Sequence, residues 1–220
     1  QAFLIPCGQG YLLVDSGYPN SYAALEKGLA SMGIGMQDLR YLLLTHNHAD
    51  HCGGAAKIRA NSAVRLIAHK NLQPLLQAGD GGLYGAHPAS PGLNAMMGLM
   101  RFFSHSAAEF PAVPLQQDDI FIEEDQPNVL RELGIAAQVL FTPGHTTNSL
   151  SVVFDDGDVI CGDIVFNSPL FQLLGSHYRP ILIQDEMQVK ESWQKIRAAG
   201  GKRIIPSHGT PLPIEKLKLA

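Results

Sequence analysis

Four side chains able to hold a metal ion fall within six residues: His46, His48, Asp50 and His51, in the stretch Thr45-His46-Asn47-His48-Ala49-Asp50-His51-Cys52-Gly53-Gly54. Imidazole nitrogen and carboxylate oxygen suit zinc, iron, manganese and similar divalent ions. His46 and His48 alternate, so in extended backbone they point the same way. Asp50 and His51 are neighbours and diverge. That spacing suits two ions better than one, with a histidine pair for the first and an Asp-His pair for the second. Each ion then needs ligands from elsewhere, because a catalytic zinc usually takes three protein ligands and keeps one position for water.

The elements that must position these groups read from the flanking residues. Tyr41-Leu42-Leu43-Leu44 is an apolar run of strand type, so the ligands follow a strand's C-terminal end, where α/β folds place chemistry. Upstream, residues 3–5 and 11–15 read as a hairpin around Gly8-Gln9-Gly10, ending at Asp15. Residues 21–32 read as a helix, with Tyr22, Leu25, Leu29 and Met32 at helical spacing and Gly33 as its stop. Residues 55–60 continue as a short helix, 64–68 as a strand and 70–77 as a helix. Downstream, strands at 120–122, 136–141, 149–154, 159–161 and 203–205 are expected, with a helix over 185–199 facing Met187, Trp193 and Ile196 inward. Several of these strands end beside residues of the ligand type: His145 follows 136–141, Asp163 follows 159–161 and His208 follows 203–205. Ligands at separate strand ends make a rigid, preorganised site.

These residues stand in five ordered motifs: Leu12-Leu13-Val14-Asp15-Ser16-Gly17, His46-x-His48-x-Asp50-His51, Thr142-Pro143-Gly144-His145-Thr146, Cys161-Gly162-Asp163 and Pro206-Ser207-His208-Gly209. The set resembles that of the metallo-β-lactamase superfamily over nearly the whole chain, and glyoxalase II most closely in its detail. The resemblance implies an α/β fold, a four-layer αβ/βα sandwich with a metal cleft along one edge of its two sheets. It implies a first ion on His46, His48 and His145, a second on Asp50, His51 and His208, and Asp163 between them. Asp15 would orient the metal loop from behind. Asp50 and Asp163 would also serve catalysis. The cofactors implied are two divalent ions, zinc first, with iron or manganese as alternatives. Five neutral imidazoles and two carboxylates leave such a site net positive, favouring a hydroxide shared by the ions. The chemistry implied is attack on an ester, thioester or lactone carbonyl, and G-x-S-x-G is absent from the sequence. The alternative is a persulfide dioxygenase using a single iron.

Departures from the branches narrow the substrate. Asp163 argues against the β-lactam hydrolases. Phe166 stands where acyl-homoserine-lactone hydrolases carry Tyr. The glyoxalase II branch has a C-terminal helical region beyond the point where this sequence stops at Ala220. The family also has strand residues before its first motif, and this sequence opens on Gln1, so residues upstream are expected.

One domain over residues 1–220 is expected, with a variable insert at about 79–117. Within it, residues 93–103 are apolar nearly all round and would wall the substrate pocket, cover the core or meet a second copy. Tyr84, Met97, Met100, Phe166 and His177 are the candidate pocket residues. His69, His87, His105 and His177 lack metal spacing and read as surface or helix-end residues. Cys52 and Cys161 read as small buried thiols.

Composition sets the outer limits. Hydrophobic residues make up 45% and charged residues 16%, as in a chain with a sizeable core. Net charge is −4 without a Lys/Arg cluster, so nucleic acid is not an expected partner. No apolar run reaches the roughly 18 residues that span a bilayer. Three cysteines give no paired framework, which fits a reducing, cytoplasmic compartment. A small-molecule substrate and a homodimer remain as the expected partners.

Overall fold

The computed structural model describes residues 1–8, 10–101 and 109–218, the last three of the middle stretch through their backbone only. The N-terminal half runs β1 (Phe3–Cys7), β2 (Gly10–Val14), α1 (Tyr22–Ser31), β3 (Leu39–Leu43), α2 (Ala49–Cys52), α3 (Ala55–Asn61), β4 (Arg65–His69), α4 (Gln73–Ala78), β5 (His87–Pro88), α5 (Pro91–Arg101) and β6 (Ile120–Ile122). Its main sheet has the order β1-β2-β3-β4-β6, antiparallel between β1 and β2 and parallel from β2 onward. The C-terminal half runs β7 (Ala137–Phe141), β8 (Leu150–Phe154), β9 (Asp158–Ile160), β10 (Phe166–Asn167), α6 (Pro169–Leu173), β11 (Leu182–Ile183), α7 (Glu186–Ala198), β12 (Arg203–Ile205), β13 (His208–Gly209) and β14 (Leu212–Pro213). It builds the second main sheet, in the order β14-β12-β9-β8-β7. Two short pairs, β10 with β13 and β5 with β11, flank the sheets.

The strands are apolar on both faces because both faces are covered. Leu12 and Val14 point between the sheets, where they meet Leu43, Ile67, Val139, Leu150, Val152 and Ile160. Leu13, Leu42, Leu44, Leu66 and Ala68 point the other way, onto α1, α3 and α4 through Leu29, Ile58 and Leu76. In the second sheet Val153, Val159 and Ile204 face α7, which presents Val189, Trp193 and Ile196. Successive strand residues alternate faces, so one run such as Leu42-Leu43-Leu44 serves two cores. The outcome is four layers: helices, sheet, sheet, helices.

The expected elements occur within a few residues of their expected bounds, and three details differ. Met187 is 71% exposed, whereas Val189, Trp193 and Ile196 carry the buried stripe of α7. Val189 stands four residues before Trp193 and seven before Ile196, the spacing of one helix face, and Met187 is off that register. The helix is instead started by Asp185, whose side chain accepts from the Met187 and Gln188 amides at 2.9 and 3.0 Å. His69 stands at a helix end, one of its two expected places, but is buried: it caps the 3-10 helix Lys70–Leu72 by accepting from the Asn71 amide and stacks on Phe141 with ring centroids 4.3 Å apart. Of the expected segment 93–103, residues 93–98 are two-sided: Leu93 is buried and Met96 packs on the second core, while Asn94, Ala95 and Gly98 are exposed. Phe102 and Phe103 lie outside the described residues, as does His105.

Cys7, Cys52 and Cys161 are buried free thiols. Among the described residues no helix is long and apolar enough to cross a membrane.

Trp193 locks α7 to the second sheet. Its ring is buried and its indole N–H donates to the Ile164 carbonyl at 2.9 Å, two residues before Phe166 and one after Asp163. Trp193→Ala is expected to cost about 3–5 kcal/mol in urea unfolding. A loss under about 1 kcal/mol would mean that α7 does not depend on this ring.

Candidate metal centre

Five strand ends meet at one edge of the two sheets. β2 delivers Asp15, and the chain leaving β3 delivers Thr45, His46 and His48 before α2 carries Asp50 and His51. β7 leads to His145, β9 to Asp163 and β12 to His208. The Leu150 amide donates to the Thr45 carbonyl at 2.8 Å, which fastens the second sheet to the first beside the metal loop. Two glycines set the approach of the flanking loops. Gly144 has φ 129°, and a Cβ there would lie 2.4 Å from the Val189 nitrogen. Gly209 has φ 109°, and a Cβ would meet the Asn167 carbonyl oxygen. Only glycine lets the chain bearing His145 and His208 pack so closely.

The ligand-type groups converge in two sets, His46, His48, His145 and Asp163 in one and Asp50, His51, Asp163 and His208 in the other, each within 4.8 Å, with Asp163 in both. In the first, His46 Nε2, His48 Nδ1 and His145 Nε2 are mutually 3.1–3.3 Å apart. The protons are on the far side. His145 Nδ1–H donates to the Leu182 carbonyl at 2.8 Å. Thr45 Oγ1 donates to Asp15 and so accepts from His46 Nδ1–H at 3.1 Å. The facing atoms of His46 and His145 are therefore lone pairs, which do not hydrogen-bond each other. A tetrahedral ion at about 2.0–2.1 Å from each nitrogen would set them roughly 3.3 Å apart, so the set fits such an ion.

The second set passes the same test. His51 Nδ1–H donates to Asp15 Oδ2 at 2.7 Å, leaving Nε2 to face Asp163 Oδ1 at 3.2 Å and Asp50 Oδ2 at 3.5 Å. His51 Nε2 and Asp163 Oδ1 are buried without a hydrogen-bond partner. Two orphaned polar atoms aimed into one space are what a divalent cation would satisfy. His208 Nε2 lies 3.0 Å from Asp50 Oδ2 and 3.6 Å from Asp163 Oδ2. Phe166 stacks on the His208 ring at 4.8 Å between centroids, holding its plane.

Burial, reinforced by the other imidazoles, holds His46 well below its ordinary pKa; burial and His145 bring His48 down to about 3, and burial lowers His145 as well. These three are neutral imidazoles at pH 7. Burial would also lower His51, but the Asp15 and Asp163 carboxylates override it and hold that imidazole well above its usual value. Asp50 and Asp163 stay ionised: burial opposes their charge, and the hydrogen bonds and charges of the neighbouring histidines outweigh it.

Asp15 does its work from a costly backbone. Its φ is +61°, a left-handed position that a non-glycine residue seldom holds outside functional sites. From there the carboxylate accepts from the Thr45 amide and hydroxyl at 2.8 Å as well as from His51. Sequence reasoning misses Thr45, although its place beside His46 is the available signal. It also misses the Asn47–Asn148 pair: the Asn47 amide donates to Asn148 Oδ1 at 3.2 Å, tying the metal loop to the loop after β7. The buried Cys52 thiol donates to the His46 carbonyl at 3.0 Å, and burial pushes its pKa well up.

Of the candidate pocket residues, Phe166 is at the site. Tyr84 borders a cavity of about 560 Å³ with Asn47, Gly144, Asn148 and Gln184. Met97 is half-buried on α5 and His177 is exposed, and neither borders that cavity or the one beside Asp50 and His208. The Met100 side chain lies outside the described residues. Tyr18, which shares a cavity with Asp50 and His208, has no signal in the sequence.

A family model described as the metallo-beta-lactamase superfamily matches residues 2–208. A probable metallo-hydrolase of Bacillus subtilis (strain 168) is 30% identical over 183 residues, covering 80% of this chain and 67% of that protein. A hydroxyacylglutathione hydrolase of Rhodopseudomonas palustris (strain BisB5) is 26% identical over 196 residues, covering 86% of this chain; the chain spans 60% of that relative's length. The fold is similar to a metallo-beta-lactamase family protein from Thermus thermophilus, with a TM-score of 0.66 at 20% identity, covering 99% of this chain and 71% of that one.

Two outcomes are expected of the metal-free and loaded protein. Asp15→Asn should weaken the second metal equivalent by about 10–100-fold in chelator competition, through its direct bond to His51, and the first by less, through Thr45 and His46; no weakening of the second would sever the link from Asp15 to His51. For the metal-free protein, the unfolded chain binds protons on His46, His48 and His145 that the folded chain refuses. Stability therefore rises with pH between the lowered folded values, about 3 for His48, and the ordinary 6.5. His51 has the opposite sign: its raised value gives stability that is full below 6.5 and lost at higher pH. The Tm without metal should peak near 6.5 and drop by about 5 °C or more by pH 5; a flat profile would contradict neutral buried imidazoles.

Proposed function

The chain belongs to the metallo-beta-lactamase superfamily, and from that premise we propose that it is a binuclear metal-dependent hydrolase of a small-molecule ester, thioester or lactone. The observation that carries the reading is the sharing of Asp163 between two complete ligand sets. His46, His48 and His145 would hold one divalent ion, and Asp50, His51 and His208 the other. When bound, such a pair supplies a water with a pKa lowered toward 7 and a Lewis acid for the carbonyl oxygen.

The chain's own residues do the remainder. Asp163, nearly closed off from solvent, joins the two sets. Asp50 is 18% exposed and stays a carboxylate, and it carries the proton from the attacking water to the leaving group. Asp15 and Thr45 hold His51 and His46 in the tautomers that present a lone pair. Phe166 keeps the His208 ring in plane and contributes no hydroxyl. The likeness to a hydroxyacylglutathione hydrolase favours acyl transfer from oxygen or sulfur to water.

Elemental mass spectrometry of protein purified without added metal is expected to give about two zinc, iron or manganese ions per chain. Asp163→Ala should lose metal and lower ester hydrolysis by more than the roughly 10–100-fold typical of a supporting residue. Full activity and full metal content in Asp163→Ala would end this reading. A single iron per chain, with oxygen uptake on glutathione persulfide, would replace it with sulfur dioxygenation.

A further inference from the structure

A cavity of about 430 Å³ opens beside the second ligand set. Asp50 and His208 form one end of it. Leu4 lines it from β1, and Leu25, Leu29 and Met32 from α1 and its C-cap. Tyr18 stands among the lining residues, 47% exposed. The volume is that of a small-ligand site. One end offers a carboxylate and an imidazole, and the body offers aliphatic side chains. Gln1 and Ala2 also line it, and no Lys or Arg side chain is among the lining residues.

A second feature concerns the depth of this groove. Gly28 sits inside α1 and borders the cavity, and a Cβ added to it would meet nothing within 4 Å. Its φ is not positive, so the backbone does not demand glycine. Glycine in a helix interior is disfavoured against alanine. What the absent side chain leaves is space on the groove wall.

We propose that this groove is the subsite for an unbranched aliphatic arm of the substrate, with the scissile carbonyl beside Asp50 and His208 and with Gly28 setting how long an arm is accepted. The inference rests on reading the site as a carbonyl hydrolase. The substrate is then an amphiphile, polar at the reacting group and aliphatic along α1. Tyr18 lies beside the polar end, and its phenol keeps its proton: burial, then the Asp50 charge, raises its pKa. A neutral phenol there donates a hydrogen bond to the substrate's oxygen and positions the arm.

The zinc-loaded protein is tested on p-nitrophenyl esters of acetate through decanoate, which vary the acyl arm, and on ethyl through decyl acetates, which vary the alcohol arm. In one series kcat/KM is expected to rise by about 3-fold per methylene until the groove is full. Gly28→Phe should remove that rise and leave acetate hydrolysis within about 3-fold of the parent. A length dependence untouched by Gly28→Phe, or none in either series, would overturn the proposal. Calorimetry with decanoate against butyrate separates the groove from the chemistry. If no ester is turned over but decanoate binds the parent more tightly than butyrate and Gly28→Phe abolishes the difference, the groove stands and the hydrolase reading falls. If Gly28→Phe does not fold, Met32→Lys serves: a cation at that exposed position should depress long-chain substrates selectively, and equal effects on all lengths would count against the subsite.

Discussion

Three imidazole nitrogens face one another at 3.1–3.3 Å, those of His46 and His145 as lone pairs that repel, and the fold must hold them there. Much of the local structure can be read as the means. The Leu182 carbonyl and the Thr45 hydroxyl occupy the outer nitrogens of His145 and His46, so their inner nitrogens are free of protons. Asp15 takes the outer proton of His51 and anchors Thr45 through both amide and hydroxyl. To reach all of these, Asp15 sits in a left-handed backbone state, strain of the order of 1–3 kcal/mol that the surrounding contacts override. A cation among the inner nitrogens turns that repulsion into attraction, which is why the supports behind the ligands matter as much as the ligands.

The same economy runs through the sheets. A strand covered on both faces has no solvent side, so its end is the place where polar side chains can be held rigidly yet reach a cleft. Thr45 is the transition point. One residue earlier, Leu44 still belongs to the helix-side core; one residue later, His46 faces the site. The Thr45 carbonyl meanwhile bonds across to Leu150, so the first ligand loop is built on both sheets rather than one.

Much of this is legible in the residues. The ligand types are rare enough, and their intervals short enough, that His46, His48, Asp50 and His51 announce a metal loop unaided. His145, Asp163 and His208 follow apolar runs that can be read as strands. What is not legible depends on packing between distant parts of the chain. His69 stacks on Phe141 from a strand of the other sheet, and the inward face expected of Met187 is one that the register of Val189, Trp193 and Ile196 excludes. Tyr18 and Gly28 carry no local mark at all, because the groove they border exists only once α1 lies over the β1–β2 hairpin.

The distances along the chain carry a further consequence. His46 and His145 are 99 residues apart, and Asp50 and His208 are 158 apart. Loops of that length must close before their contacts return anything, so the site is completed late in folding. A chain made from its N-terminus exposes the three histidines of the first set well before the strand that brings His208. During synthesis the second set therefore cannot close until almost all of the described chain has emerged, so the two sets of side chains are completed in a fixed order along the chain.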